Sequence, residues 1–400
     1  MIPCGSAQAA GFSNFTQGAG PMGVANASVA HAEGLSSLFY NPALQLEFNG
    51  FNLDLGLTLV SPEKELDSTR TGQSYESEHN ICTPMHLSAS YRLSERSSLA
   101  LGVNNSFGLR SEFPEDTIFR YLTTSSELTT WDINPSLAMQ LHERLAVAVG
   151  IRAVRSEATL EQMIPLQAFA QADGRQRFKG DATGYGWNIG ATLNPVEQWT
   201  IGASYRSQVE LDLDGDLHYD LPKTAPTMLS SLFPATSAAA ELTLPAQFFV
   251  GIAYAPSPQW VVEAALRYEH YSSYERLSVT TALPVAGKRQ TFIPKNWDDV
   301  WGYMLGGSYQ NAAGYRFSLG YLYEENPVPD ATFEPGTSGM DKQTLTVGIG
   351  KQLGRLSYRL SYAYDFYQDR EIDNDGPAAV LNGSHSQDNH SLAMTLSWQL

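Results

Sequence analysis

Hydrophobic and polar residues alternate with a period of two along much of this chain. Near the start of the pattern, one face carries the apolar residues Phe51, Leu53, Leu55, Leu57 and Leu59. The end of the chain repeats it, with an apolar face formed by Leu392, Met394, Leu396, Trp398 and Leu400. A period of two is typical of a β-strand with one apolar face. A strand of a soluble sandwich alternates in the same way, so the whole chain has to decide the environment.

About fourteen such segments follow one another, centred near residues 55, 88, 102, 134, 150, 189, 204, 250, 265, 306, 319, 348, 361 and 395. Long connections lie near 61–84, 109–126, 157–183, 214–243, 272–298, 325–341 and 368–388. The connections between these are tight turns rich in Pro, Gly, Asn and Ser. Short turns on one rim and long loops on the other are typical of outer-membrane barrels. The pattern predicts an all-β fold, a 14-stranded antiparallel transmembrane β-barrel with periplasmic termini.

The composition agrees with strands that face lipid. Charged residues make up 17% of the chain, below the roughly 25% of soluble proteins, and 20 Tyr, 17 Phe and 7 Trp supply aromatic belts. No apolar run reaches the roughly 18 residues that a membrane-spanning helix needs. A net charge of −17 without any basic stripe argues against a nucleic-acid partner. We therefore expect a protein of the bacterial outer membrane.

Charged residues in the middle of the predicted strands point into the barrel, because a charge facing lipid costs several kcal/mol. The predicted lumen charges are Arg152, Arg206, Glu263, Arg267, Arg316 and Arg359. We expect the arginines to form a charge ladder with Asp54, Glu263 and Glu324. The alternative is that one of the arginines binds a ligand carboxylate through a bidentate contact.

Residues 10–50 show no strand period and form a predicted plug ahead of the barrel at 51–400. The alanines between Val24 and Ala32 favour short helical turns there. Residues 1–9 are predicted to be the remnant of a signal peptide ending at Ala7-Gln8-Ala9, and an ordinary flexible N-terminus is the alternative. Cys4 would be lost with that segment, which would leave Cys82 as a single thiol.

Several short motifs follow one another in a fixed order. They are Ala10-Gly11-Phe12, Asn41-Pro42-Ala43, the segment 105–113 (NSFGLRSEF), the segment 134–137 (NPSL), the segment 205–209 (YRSQV) and the segment 326–330 (NPVPD). With them the chain resembles, over nearly its whole length, the FadL/TodX family of outer-membrane transporters for long-chain fatty acids and hydrocarbons. The resemblance implies that residues 10–50 are an N-terminal hatch of short helical segments. It also implies that Asn41, Pro42 and Ala43 are the hatch motif and that Ala10, Gly11 and Phe12 form an N-terminal pocket segment.

The third predicted strand loses its register at Asn105, Ser106, Phe107 and Gly108, after a clean alternation through Leu99, Leu101 and Val103. A glycine within a strand often marks a bulge or a kink. The resemblance implies that a kink here opens the wall sideways, as a lateral gate. The alternative is that the strand simply ends.

The predicted loops 157–183 and 214–243 carry apolar residues that an exposed loop seldom shows. These residues are Leu160, Met163, Ile164, Leu166, Phe169, Met228, Leu229, Leu232 and Phe233. The resemblance implies that the two loops form a first ligand groove. Packing of one loop against the other is the alternative.

The chain is therefore expected to be a monomeric channel for the passive, ligand-gated uptake of hydrophobic compounds, in contact with outer-membrane lipid and lipopolysaccharide. Long-chain fatty acids are the expected ligand, and aromatic or alkane hydrocarbons are the alternative. A surface adhesin or receptor is the alternative outside transport. We expect no cofactor, no metal and no enzyme activity, since no nucleophile elbow, P-loop or zinc-protease motif is present. A barrel lipase would need Ser, His and an orienting partner to meet on the outer wall.

Overall fold

The structure is a computed structural model that describes residues 11–337 and 339–400. In these residues the chain forms one antiparallel sheet of twenty-one strand segments and a small N-terminal unit inside it. The segments are β1 (Phe51–Ser68), β2 (Ser74–Glu76), β3 (Met85–Ser94), β4 (Ser97–Asn104), β5 (Gly108–Glu112), β6 (Ser125–His142), β7 (Leu145–Ile164), β8 (Gly174–Val196), β9 (Trp199–Arg206), β10 (Val209–Asp220), β11 (Thr236–Leu244), β12 (Gln247–Ser257), β13 (Trp260–Glu269), β14 (Arg276–Val285), β15 (Lys288–Pro294), β16 (Val300–Gln310), β17 (Tyr315–Glu324), β18 (Lys342–Leu353), β19 (Leu356–Tyr367), β20 (Arg370–Ile372) and β21 (Gly383–Gln399).

Within the described residues, these segments make up a closed barrel of fourteen wall strands, some continuous and others formed by two consecutive segments. The barrel closes where β1 pairs with both β3 and β21, with Leu55 opposite Leu87 and Leu396. All fourteen predicted strand centres fall within these strands, so the predicted fold class is confirmed. Closure pairs the edges of the first and last wall strands, which lipid could not hydrogen-bond.

Apolar side chains cover the outer surface between two aromatic belts. Near the short turns, Trp199 stacks on Tyr254 with ring centroids 4.6 Å apart. Near the opposite rim, Tyr268 lies 5.1 Å from Trp301. Aromatic belts at both interfaces are typical of barrels in the outer membrane. Among the described residues, no helix is long and apolar enough to cross a membrane.

The strands run farther beyond the lipid than the sequence pattern indicated. β7 continues to Ile164 and β8 begins at Gly174, so Leu160, Met163 and Ile164 lie on a strand and not in the predicted loop 157–183. Half of the predicted loop 214–243 is likewise strand, namely the end of β10 and most of β11. The loop boundaries were wrong because the alternation reverses above the membrane, where the apolar residues face inward and the polar residues face outward.

This reversal of the apolar and polar faces is clear along β9 and β10. In β9 the outward face is apolar and the inward face, which includes Arg206, is polar. In β10 the buried, inward residues are Val209, Leu211, Leu213 and Leu217, and the exposed residues between them include Glu210, Asp212 and Asp214. The lumen is therefore polar at the level of the membrane and apolar above it.

Residues 11–50, which we call the hatch, fill the polar part of the lumen. They contain an α-helix, α1 (Ala19–Gly23), and two 3₁₀ helices, Leu35–Phe39 and Pro42–Glu47. The predicted helical turns at 24–32 are wrong. The backbone N–H groups of Val29, Ala30 and His31 donate to the Glu263 carboxylate of the wall and not to carbonyls of a helical turn.

Two predictions depend on the N-terminal segment before the hatch, one about residues 1–9 themselves and one about Cys82. The predicted leader, residues 1–9, and Ala10 lie outside the described residues. Cys82 is buried and disulfide-bonded, so the prediction of a single thiol at this position is wrong.

Candidate functional site

A cavity of about 580 Å³ lies above the hatch, in the apolar part of the barrel. Ligand sites of drug-sized molecules usually have volumes of roughly 300–1,000 Å³. The apolar lining includes Leu109, Leu128, Leu160, Phe178, Leu213, Leu217, Leu242, Leu277 and Ile293. These side chains come from strands on several sides of the barrel, and all but Ile293, on the exposed strand β15, occupy inward positions.

The floor of the cavity is an aromatic cluster around Phe12. The Phe12 ring lies 5.4 Å from Tyr271 and from Trp297, 5.6 Å from Tyr274 and 6.1 Å from Phe107, measured between ring centroids. Gly11 has a φ of 68°, and a Cβ added there would lie 2.5 Å from Trp297. The predicted pocket segment thus reaches the cavity with Phe12, and only glycine fits beside it.

One ammonium group is buried in this wall. Lys295 follows β15, is almost fully buried, and forms an ion pair with Glu334. Burial lowers the pKa of the Lys295 ammonium to about 8. Both side chains line the cavity, which therefore combines a long apolar wall with a buried ion pair.

The wall is interrupted beside this floor. β4 ends at Asn104 and β5 begins at Gly108, and three residues between them face only two residues of β6. This count is that of a β-bulge. On its other side, β5 has no strand partner among the described residues, and one backbone bond, from Glu78 N to Glu112 O, spans the space. The sequence-predicted break at 105–108 is thus a gap in strand pairing.

The Asn105 side chain bridges the interruption. Its Nδ2 donates to Thr130 O at 2.6 Å, and its Oδ1 accepts from Met85 N at 2.9 Å. The hatch covers the same place from inside, where Ser13 and Phe107 form an antiparallel bridge. Gly108 N donates to Phe12 O, and Asn14 N donates to Ser106 O. The segment 11–14 therefore acts as a short extra strand behind the gap.

A buried ion cluster lies next to the break. Asp132 Oδ2 accepts from Arg152 Nη2 at 2.6 Å, from Arg206 Nη2 at 2.7 Å and from Ser106 Oγ at 3.1 Å. The Arg206 guanidinium also lies 4.3 Å from the Phe39 ring centroid. Two of the predicted lumen charges thus connect the break in the wall to the hatch.

A second cluster holds the N-terminal end of the hatch. Arg267 bonds Glu324 at 2.8 Å and lies over the Phe15 ring. Glu269 accepts from Ser13 Oγ at 2.6 Å. These contacts and the Tyr271 hydroxyl, which accepts from Ser13 N, fix the segment that covers the gap.

The other lumen charges bind the body of the hatch. Glu263 accepts the three backbone N–H groups described above, and Arg316 Nη1 pairs with Glu33 at 3.2 Å. Arg359 lies against Gly34, where an added Cβ would be 2.2 Å from its Nη1. Asp54 accepts from Leu35 N at 2.9 Å. The ladder includes Glu324 as predicted, but Asp54 and Glu263 bind hatch backbone.

The predicted hatch motif is also a wall contact. Asn41 caps the 3₁₀ helix that begins at Pro42, since its Oδ1 accepts from Ala43 N at 3.0 Å. Its Nδ2 donates to Val29 O within the hatch and to Ala191 O of β8. One side chain thus joins two parts of the hatch to the barrel.

The nine residues of the predicted outer groove lie in four different surroundings. Ile164, Leu166 and Leu229 are buried where the two segments pack together, with Leu232 against them. Leu160 and Phe233 line the cavity, whereas Phe169 and Met228 are exposed. Met163 lies on β7, partly buried. Part of the predicted groove is thus packing between the two segments, and part of it faces the cavity.

A Ser–His–Asp group lies on the outer rim. Ser272 Oγ is 3.3 Å from His270 Nδ1, and Asp299 Oδ1 is 3.2 Å from the same nitrogen. A catalytic relay needs the two ring nitrogens for the two partners, so this imidazole cannot pass a proton between them. In the described residues, no cluster of His, Cys, Asp or Glu could hold a metal ion.

A protein-family model, described as outer membrane protein transport protein (OMPP1/FadL/TodX), matches residues 2–400 of this chain. The chain belongs to the FadL/TodX family. It is 24% identical over 379 residues to a long-chain fatty acid transport protein of Escherichia coli O6:H1, covering 86% of this chain and 80% of that one.

Solved structures show the same fold. A Pseudomonas aeruginosa FadL homologue has a TM-score of 0.86 at 17% identity, covering 97% of this chain and 99% of its own. The Pseudomonas putida toluene transporter TodX has a TM-score of 0.78 at 16% identity, covering 96% and 99%. The resemblance noted in the motifs is confirmed.

As a FadL/TodX protein, the chain is an outer-membrane transporter of hydrophobic compounds and not an enzyme. The barrel lipase alternative is therefore wrong. Apart from Phe12, Leu160 and Phe233, the cavity lining was missed in the sequence, and so was Lys295. A usable signal was present in β10, where acidic residues alternate with Val209, Leu211 and Leu213, the reverse of a lipid-facing strand.

Proposed function

We propose that the protein takes up long-chain fatty acids passively, through the cavity above the hatch and then sideways through the break at 105–108. The observation that carries the proposal is the apolar cavity of about 580 Å³ with one buried lysine in its wall. A cavity of roughly 150 Å³ already accepts benzene, so this one is large enough for a long alkyl chain.

Lys295 favours an acid over a neutral hydrocarbon. Burying an ammonium group is costly, and a hydrocarbon would gain nothing from it. A fatty-acid carboxylate can form a charge-assisted hydrogen bond with the ammonium in place of Glu334. The E. coli relative named above is a long-chain fatty acid transport protein.

Aromatic hydrocarbons are the second candidate. The aromatic cluster of Phe12, Tyr271, Tyr274 and Trp297 could hold a planar ring by edge-to-face contacts. The structural neighbour from P. putida is a toluene transporter. The large apolar wall beyond this cluster is the reason why fatty acids come first.

The sideways route follows from how firmly the hatch is held. The hatch is bonded to the wall through Glu263, Arg316 and Asn41, so a route straight down the lumen would break many buried contacts. At the break, by contrast, only the segment 11–14 and the Asn105 bridge must yield. The contacts of that segment include the backbone bonds of Phe12 and Asn14 and the bonds of Ser13 to Tyr271 and Glu269. A ligand that displaces Phe12 from its cluster would pull on these bonds directly.

Uptake in bacterial cells that lack their own fatty-acid transporter tests the substrate. Cells that produce this protein should accumulate labelled oleate several-fold faster than cells that produce an unrelated barrel, with a smaller effect on labelled toluene. Accumulation of toluene alone would favour the aromatic alternative. No gain for either compound would contradict the proposal, and the lipid that co-purifies with the protein gives an independent answer.

A reversible cross-link tests the route. Ser13 and Phe107 are a bridge pair flanked by backbone bonds, a geometry in which the Cα atoms lie about 4.5 Å apart and a disulfide can form. The double variant Ser13→Cys/Phe107→Cys should lose uptake when oxidised and regain it after reduction. The two single variants control for the native disulfide of Cys82. Full uptake in the oxidised double variant would contradict lateral exit at this break.

A further inference from the structure

Strand β15 places positive charges along one side of the cavity. Its residues Arg289, Thr291 and Ile293 all line the cavity, and Lys295 follows in the same alternation. Lys288, at the turn that begins β15, also lines it. The cavity-facing side of this one strand thus carries a cation at its outer end and another at its inner end.

The outer cations are not neutralised by the protein. Among the described residues, neither Lys288 nor Arg289 has an ion-pair partner, and both are exposed. Cation pairing is common elsewhere on this rim, where Arg175 and Arg177 both pair with Glu161.

The acids of the cavity lie on other strands. Glu161 is on β7 and is already paired, Glu127 is on β6, and Glu334 is bonded to Lys295. The two uncompensated cations therefore stand on the β15 side, across from Glu127. A negative head group in this cavity is attracted toward β15 and repelled from β6.

The spacing suits a transfer along the strand. Arg289 and Lys295 are six residues apart on the same face, roughly 20 Å at about 3.3 Å per residue. The residues between them that face the cavity, Thr291 and Ile293, carry no charge. A carboxylate held at Arg289 would thus place its alkyl chain against the apolar wall before the carboxylate reaches Lys295.

We propose that β15 is a cationic guide, in which Lys288 and Arg289 capture the carboxylate of an anionic amphiphile and Lys295 receives it. This inference rests on the proposed function, since it needs a ligand with an acidic head group. It adds a selection step at the mouth of the cavity, where a neutral hydrocarbon would gain nothing from the cations. Long-range attraction of this kind raises association rates by about tenfold or more and weakens with salt.

The test measures the association rate of purified protein, in detergent free of lipopolysaccharide, with a long-chain fatty acid that carries a fluorophore at its methyl end. The methyl ester of the same molecule is the neutral probe. The variant is Lys288→Gln/Arg289→Gln. The matched control is Arg70→Gln/Lys223→Gln, which removes two exposed cations that do not line the cavity.

The guide predicts that the Lys288→Gln/Arg289→Gln variant binds the acid about tenfold more slowly at about 0.02 M salt, and that the difference nearly vanishes at about 0.3 M. The association rate of the methyl ester should not change, and the control variant should bind both probes as fast as the unaltered protein does. If the variant binds the acid and the ester equally slowly, the guide is overturned, and Lys288 and Arg289 act only by maintaining the shape of the β14–β15 hairpin.

An unchanged acid rate in the variant would also overturn the guide while leaving the proposed function intact. Slowing seen only when lipopolysaccharide is added back would assign the two cations to lipid phosphates and overturn it as well. If the unaltered protein binds the ester but not the acid, fatty acids are not the ligand, and both the guide and the proposed function fail.

Discussion

In the proposed function, one residue, Lys295, selects the class of ligand. Its ammonium is buried beside an apolar wall, and burial brings its pKa down to about 8. The group is therefore charged at neutral pH but loses its proton in a range that a binding experiment can reach. The acids facing it are Glu334, which is bonded to it, and Glu127 and Glu161 across the cavity.

Fatty-acid binding should weaken as the pH rises through about 8. The carboxylate stays ionised over this range, so the change comes from the lysine, which is charged below its pKa and neutral above it. Affinity for the acid should fall about tenfold between pH about 7 and about 9, with no change for the methyl ester. Equilibrium binding of the two probes at several pH values measures this.

Lys295→Met is the matching variant. It should bind the acid weakly at every pH and the ester as well as the unaltered protein does. Lys223→Met, at an exposed lysine away from the cavity, is the control. A pH dependence that persists in Lys295→Met would show that another group titrates.

At the scale of elements, the hatch packs closely against the wall because wall glycines leave room for its backbone. A Cβ added to Gly306 of β16 would lie 2.2 Å from Val24 O, and one added to Gly202 of β9 would lie 2.1 Å from Val29 O. The alanine-rich stretch 24–32 lies against these glycines as an irregular chain. Contact with the wall therefore overrides the helical preference of alanine.

Gly306→Ala should loosen the hatch without unfolding the barrel. The methyl group would meet backbone at Val24, which cannot turn aside as a flexible side chain can. Permeability of the outer membrane to a small polar solute should rise several-fold, while the folded barrel still resists denaturation in detergent.

Gly102→Ala provides the control, because its nearest neighbour would be 3.8 Å away. An equal rise in permeability for both variants, or no rise for Gly306→Ala, would contradict a hatch held by close packing.

At the scale of the whole molecule, the barrel depends on an apolar outer surface between its aromatic belts. Leu319 lies in the middle of β17, between Phe317 and Tyr321, and is exposed to lipid. A positive charge near the midplane of a bilayer costs about 2–4 kcal/mol, and much less at the interface.

Leu319→Arg should therefore lower the free energy of unfolding in lipid vesicles by about 2–4 kcal/mol. Leu141→Arg, near a short turn, should cost about 0–1 kcal/mol and serves as the control. Denaturant titration of the refolded proteins measures both. Equal losses would contradict the assignment of Leu319 to the midplane.

The sequence was sufficient to predict the barrel because lipid imposes a strict alternation on every strand. It also located the break at 105–108, where that alternation fails. It did not predict the pairs that hold the hatch, such as Glu33 with Arg316 or Ser13 with Glu269, since these join residues more than 250 positions apart. The cavity was missed because its strands reverse the pattern used to find strands in the membrane.

That reversal, seen most clearly in β10, separates two tasks along each strand. The lower part has the apolar outer face that lipid requires, and the upper part forms a cup whose inner surface lines the proposed ligand cavity. Substrate range can therefore change through substitutions in the cup that leave insertion into the membrane untouched. A chimera that joins the cup of one such barrel to the lower part of another should fold, and it should inherit its cargo from the donor of the cup.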